Sequence, residues 1–206
     1  MHPAVPEVWV RYNEDLEGRL KFMYADVDNW ITTGMGNKVD PVGDAVMLPW
    51  RTSQNNLASK SQVVAAWNAV KNDPHAAKLG WTHAKGIPGN NLHLADEDVD
   101  ALIEGRLRVN DSLLKARFIN FEEAPADAQL GLHSMVWAMG FGRLREFPRF
   151  CKAFDSADWN TCAAECRMQP DKGTVSTRNR RNAICFLNAA TVAGSGADCS
   201  QLVWAP

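Results

Sequence analysis

The chain has 206 residues, 46% hydrophobic and 22% charged, with a formal net charge of −2 at pH 7. That composition supplies enough apolar material for one domain or two small lobes and excludes intrinsic disorder. So small a net charge excludes a polyanion binder working through a strong global field. No apolar run approaches the ~20 residues that span a bilayer. Neither nucleic acid nor membrane insertion is therefore expected. The opening Met1-His2-Pro3-Ala4-Val5-Pro6 lacks a basic segment followed by an apolar one, so no secretory leader is expected.

Pro6 and Glu7 predict a helix over residues 7–17, because proline is tolerated and acid is favoured in a first turn. Its apolar stripe is Val8, Tyr12 and Leu16, and Gly18 ends it. From Leu20 to Met35 the texture changes. Leu20, Phe22 and Tyr24 alternate with Lys21 and Met23, Asp28-Asn29 is a turn signal, and Trp30-Ile31-Thr32-Thr33 is aromatic and β-branched. This predicts a β-hairpin. Residues 38–57 are rich in loop residues. Ser59 caps a helix that runs to Lys71 with Val63, Val64, Trp67 and Val70 on one face. Pro74, Gly80, Gly86, Pro88 and Gly89 predict irregular chain over 72–93. A long polar helix follows over 96–118, with Val99, Leu102, Ile103, Leu107 and Leu114 on one side. Residues 125–140 are apolar nearly all round, the pattern of a buried helix. Further helices are expected over 147–154, 158–168 and 177–188. The fold class is α+β, mostly α.

Five cysteines, at 151, 162, 166, 185 and 199, lie in the last third. Their odd number excludes complete internal pairing. Most are expected as buried small hydrophobes, with one disulfide left open. His75, His83 and His93 occur without metal-site spacing and are expected to be surface or capping residues, whereas His133 is expected as a satisfied core histidine. No metal and no cofactor is implied. Arg178-Asn179-Arg180-Arg181 is expected as a solvated helix face with one site arginine. Buried packing is expected for Trp137 and Trp159. Trp50 and Trp81 stand in loop-like stretches and are candidates for stacking on sugar faces.

The candidate chemistry lies in two carboxyl groups. Glu17 closes a helix, and Asp26 follows nine residues later inside the hairpin. Glycosidic hydrolysis needs one acid to protonate the leaving oxygen and a second carboxylate to activate water or attack. Thr32, on the returning strand, is placed to help hold a water against Asp26.

Residues Glu17-Gly18-Arg19-Leu20-Lys21-Phe22-Met23-Tyr24-Ala25-Asp26, with Trp30-Ile31-Thr32-Thr33-Gly34-Met35-Gly36, resemble the active-site segment of phage-type lysozymes, glycoside hydrolase family 24. The pattern is Glu-Gly, a strand ending Tyr-x-Asp, a turn, then aromatic-Thr-x-Gly-x-Gly, here without a gap. His133 to Gly140 is similar to that family's buried central helix, and Phe147 to Phe150, Trp159, Ala163-Ala164 and Arg178 through Phe186 follow in order. The resemblance covers residues 7–37 and 130–188, and the stretch between is longer than in compact phage enzymes. Asn37 replaces the histidine usual after the second glycine. Glu165 stands where the family has a substrate-contacting asparagine.

The resemblance implies an inverting muramidase that cuts the β-1,4 bond between N-acetylmuramic acid and N-acetylglucosamine. Glu17 would be the general acid, with Asp26 and Thr32 positioning water. Arg178 falls where the family sets an arginine against the acid, and with Gly36 and Trp137 it is expected at the substrate site. It further implies a two-lobed single domain: a β-containing lobe of about 18–95, a helical lobe of 1–17 plus 119–206, a joining helix of 96–118 and a cleft between lobes. The implied partner is the peptidoglycan glycan strand, met as a monomer in the periplasm or cell wall of a target bacterium. Delivery would be by holin, phage particle or baseplate, or as a type VI secretion effector with an immunity protein. Two other readings stand beside it: a lytic transglycosylase on the same polymer, and a non-catalytic wall-binding module of the same fold.

Overall fold

In the computed structural model, which describes residues 1–204, the first helix, α1, spans Ala4–Glu17. Pro6 is thus inside the first turn, where its missing N–H leaves no hydrogen bond unmade. The buried face differs from the expected stripe: Val5, Trp9, Tyr12 and Asn13 are buried, and Val8 and Leu16 only half so. The correct period runs one residue out of step with the predicted one, because Trp9 rather than Val8 packs inward, its ring 5.0 Å from that of Trp137.

The expected hairpin is present as β1 (Leu20–Ala25) and β2 (Ile31–Gly34), with a two-residue β3 (Asn37–Lys38) completing an antiparallel sheet in the order β1-β2-β3. Pairing runs Tyr24 to Thr32 and Ala25 to Ile31, and a bulge separates this register from the pair Leu20–Gly34. Inward residues Met23, Ala25, Ile31 and Thr33 are fully buried. The outer edge of β1 is not left bare. Leu94 N–H donates to Lys21 O (2.8 Å) and the Asn90 side-chain amide donates to Met23 O (2.8 Å), which blocks strand addition there.

Two stretches expected as irregular contain helices. Val42–Val46 forms the short α2 and Ala76–Ala84 forms α4. In α4 the breaker signal of Gly80 is realised as a kink between two helical pieces, with φ 64° and ψ −152°, a region essentially reserved for glycine. Between them, α3 (Lys60–Lys71) has the capping box its sequence announces: Ser59 Oγ accepts from Gln62 N–H and the Gln62 side chain accepts from Ser59 N–H. Next comes α5 (Asp96–Arg117), whose buried positions Val99, Ile103, Leu107, Asn110 and Leu114 recur at helical spacing.

The remaining elements are helical. They are α6 (Ala126–Met139), a 3-10 turn at Phe141–Glu146, α7 (Pro148–Asp155), α8 (Trp159–Glu165) and α9 (Thr174–Ser195), the last closed by Gly196 in the left-handed conformation. The protein is therefore mostly helical with a small antiparallel sheet. Among the described residues no helix is long and apolar enough to cross a membrane.

The chain forms two compact units, residues 1–16 with the chain from Arg106 onward, and residues 17–105. The larger unit is organised by α6, in which every residue from Ala126 to Trp137 is buried. Around it an aromatic core assembles, with Phe118 4.7 Å from Phe154, Phe150 5.2 Å from Phe186 and Trp159 5.2 Å from Phe154 between ring centroids. Polar groups on α6 are mostly paired. Asp127 accepts from Asn188 (2.8 Å) and from the backbone N–H groups of Val203 and Trp204 (2.7 and 2.9 Å), which pins the C-terminal segment. His133 departs from the expectation of a satisfied core histidine: neither ring nitrogen has a hydrogen-bond partner, and Asp111 Oδ1 stands 3.7 Å away. Burial pulls its pKa down and keeps it neutral between the rings of Trp9 and Phe121.

All five cysteines are free thiols. Four are buried, and burial pushes Cys162 and Cys166 up to about 12 and raises Cys185 and Cys151 as well. The disulfide left open by the sequence is not formed.

Where α6 meets α9, Gly131 is the point of close approach. A Cβ there would stand 3.1 Å from Phe186 Cζ and 3.3 Å from Cys185 Cβ. Gly131→Ala should therefore destabilise the fold by about 1–3 kcal/mol despite alanine's better helix propensity. Urea titration checks this, and unchanged or raised stability would contradict the close packing.

Candidate active site

The smaller unit contains all three residues singled out as catalytic. Glu17 is the last residue of α1 and is half-buried. Gly18, at φ +71°, turns the chain out of the helix into β1. On β1 the alternation that buries Met23 and Ala25 leaves Phe22, Tyr24 and then Asp26 on the outer face. Thr32 pairs with Tyr24, and Asp26 N–H donates to Trp30 O (3.0 Å). Asp26 thus stands opposite Trp30 and diagonal to Thr32, and the three share one face.

The Asp26 carboxylate is fixed by the turn it opens. Oδ1 accepts from the N–H groups of Asp28 (3.0 Å) and Trp30 (2.8 Å), while Asn29, at φ 59°, donates its N–H to Asp26 O (3.0 Å). Oδ2 has no donor among the described residues and can accept a proton. The Thr32 hydroxyl donates to Trp30 O (3.2 Å), so its oxygen is left as an acceptor. Thr32 is only 4% exposed.

The hairpin is tied to α3 by a second carboxylate. Asp40 Oδ2 accepts from Ile31 N–H (3.1 Å) and from Lys71 Nζ (2.7 Å), and Lys71 also donates to Asn29 O (2.6 Å). Lys38 Nζ lies 3.2 Å from the centroid of the Trp30 ring, with Lys71 at 5.2 Å, a cation–π arrangement. Burial alone would raise the pKa of Asp40. The hydrogen bonds from Lys71 and Ile31 and the charges of Lys71 and Lys38 outweigh it and hold the carboxyl below its ordinary value.

Gly36 lies in the turn between β2 and β3 at φ +75°, and Gly34 before it at φ +63°. Asn37 explains how the turn holds without the histidine of similar segments. Its Oδ1 accepts from Met35 N–H (3.2 Å) and its amide donates to Leu102 O on α5 (3.4 Å).

Trp137 and Arg178, the other two expected substrate-site residues, belong to the larger unit, and both are buried. Trp137 is 2% exposed, flanked by Trp9 and by the Arg106 guanidinium 4.1 Å from its ring centroid. Arg178 is 3% exposed and donates to Asn13 Oδ1 (2.8 Å) and Ser134 Oγ (3.0 Å). It acts as a buried anchor, because α9 turns Arg178, Asn179 and Asn182 inward. The expected solvated face is reduced to Arg180 and to Arg181, which holds Asp15 through two hydrogen bonds. Glu165 pairs with Arg149 at 3.1 Å. Of the two loop tryptophans, Trp50 is 1% exposed and donates to Ala45 O (2.8 Å), whereas Trp81 is 49% exposed. His83 meets Asp73 Oδ1 at 3.0 Å, and His75 lies beside it without a side-chain cap.

The chain matches no protein-family profile, and no curated protein matches it.

Two predictions follow from the hairpin. Asp26→Asn keeps an acceptor for the two turn N–H groups and should leave stability nearly unchanged. Asp26→Ala strips them and should cost about 1–2 kcal/mol. Thermal melts of both variants check the contrast, and equal melting would contradict the clamp. For Asp40, a depressed carboxyl stabilises the fold above the ordinary carboxylate pKa, and that contribution is lost as pH falls through its lowered value. Asp40→Asn should therefore lower stability at neutral pH and flatten the acid limb of the stability–pH curve. A parallel shift of the whole curve would contradict the pairing.

Proposed function

We propose that the protein is a peptidoglycan muramidase that hydrolyses the β-1,4 bond between N-acetylmuramic acid and N-acetylglucosamine. The observation that carries this reading is the outer face of the hairpin. Asp26 and Thr32 share it, with one carboxylate oxygen fixed by backbone N–H groups, the other left to accept, and a hydroxyl oxygen left to accept beside it. Glu17 enters the same unit three residues before β1, the strand that leads into Asp26. The resemblance of residues 17–36 to the active-site segment of phage-type lysozymes supports the same assignment of roles.

Glu17, protonated, donates its proton to the glycosidic oxygen as the C–O bond breaks. Asp26 Oδ2 takes a proton from water as that water attacks the anomeric carbon from the opposite side, and the Thr32 oxygen accepts the water's other hydrogen. The product has a free reducing end with inverted configuration. Asp26 is well suited to water activation because its Oδ1 is already committed, so the carboxylate does not reorient during the step. This role for Asp26 and Thr32 favours hydrolysis over a transglycosylase, which would need no activated water, and over a binding module, which would need neither.

Glu17→Gln should lower release of soluble fragments from purified peptidoglycan by at least about a thousandfold, with an unchanged circular dichroism spectrum. Mass spectrometry of the wild-type products should show reducing ends. A 1,6-anhydro product would favour the transglycosylase, and sedimentation with peptidoglycan without any release would favour the binding module. Full activity in Glu17→Gln would end the assignment. The protein's route to the wall, whether holin, phage particle or secretion system with an immunity partner, belongs to the same proposal, as does action as a monomer.

A further inference from the structure

The outer face of β1 does not stop at the candidate catalytic carboxylate. Phe22 lies on β1 beside its bulge, four residues before Asp26, roughly 13 Å at most along extended chain. Helix α4 packs against β1. The Gly80 bend immediately precedes Trp81, whose ring is 49% exposed. Lys85 follows Trp81 by four residues, hence on the same side of the helix, and its Nζ lies 5.5 Å from the ring centroids of both Phe22 and Trp81. Lys85 is exposed and its ammonium has no carboxylate partner among the described residues. An exposed tryptophan, a half-buried phenylalanine and an unneutralised ammonium thus form one patch on β1, the strand that leads into Asp26.

From this we infer that Trp81, Phe22 and Lys85 form a second subsite for the glycan strand, distant from the bond that is cut. The inference rests on the muramidase reading and deepens it by naming what the enzyme grips. A sugar ring presents a C–H face that packs on the Trp81 indole. The carboxylates of the stem peptides borne by N-acetylmuramic acid are the anionic groups that meet Lys85. A peptide-bearing strand spanning Phe22 to Asp26 would occupy the aromatic patch and the cleavage site together, and a short sugar could not. Such remote binding would raise affinity for long strands without entering the bond-breaking step.

The test uses the full chain. With Glu17→Gln as the parent, co-sedimentation with insoluble peptidoglycan should weaken about tenfold on adding Trp81→Ala, the scale of one aromatic contact. In the otherwise wild-type enzyme, Trp81→Ala should raise KM on long strands with kcat retained, and should leave cleavage of short soluble fragments unaffected. Lys85→Gln should weaken binding to peptide-bearing strands and have no effect on strands from which an amidase has removed the peptides. Both side chains are exposed, so neither variant should disturb the fold. Unchanged binding and KM in Trp81→Ala, with a wild-type enzyme that still releases fragments, would overturn the subsite and leave the muramidase reading standing. Equal weakening of Lys85→Gln on stripped strands would overturn the carboxylate contact. A wild-type protein that neither binds nor cuts peptidoglycan would remove both.

Discussion

The alternation at the end of β1 decides which way the Asp26 carboxylate faces. Met23 and Ala25 go inward, fully buried beneath the sheet, and in the regular register past the bulge the pleat turns Tyr24 and Asp26 outward. A slip of one residue would exchange every one of them. The register is protected from that slip at several points: the Tyr24–Thr32 and Ala25–Ile31 pairs, the Asp26 clamp on its own turn, and Asn90 and Leu94 bound along the strand's other edge. Asp40 and Lys71 then fasten the turn to α3. Most of the polar side chains around the hairpin are thus committed to holding one carboxylate still.

The larger unit solves a different problem, which is how to bury polar side chains among aromatic ones. Arg178 is nearly inaccessible yet matched by Asn13 and Ser134, and Tyr12 donates to Asn182 at 3.0 Å. Each pairing joins α9 to α1 or α6, so directional contacts fix the helix positions that the aromatic core alone would leave free to slide. His133, between aromatic rings, is left without a hydrogen bond on either nitrogen, as are the indole N–H of Trp9 and the side-chain amide nitrogens of Asn110 and Asn182.

Much of this was legible in the chain itself. The hairpin announced itself through alternation and an Asp-Asn turn, α3 through its capping box, and α6 through an apolar surface on all sides. What failed to show had physical reasons. Helix α4 was hidden because Gly80 reads as a breaker and is one: it leaves helical geometry, and α4 is two short helical pieces joined at that kink. Trp50 and Trp81 sit in similar local sequence, but one donates into a carbonyl in the core and the other faces water, a difference set by partners distant in sequence. The inward turn of Arg178 was likewise invisible, since a run of charged residues on a helix ordinarily faces solvent. The Trp81–Lys85–Phe22 patch joins residues some sixty positions apart and needed the packing of α4 on β1 to appear.

The unpaired cysteines decide how this chain meets an oxidant. No covalent crosslink contributes to its stability, and the four buried thiols are kept protonated and screened from oxidants by the core around them. Only Cys199 of the five is partly exposed, so an oxidant would meet that thiol first, near the chain's end, and the packing of α6 against α9 does not depend on any crosslink.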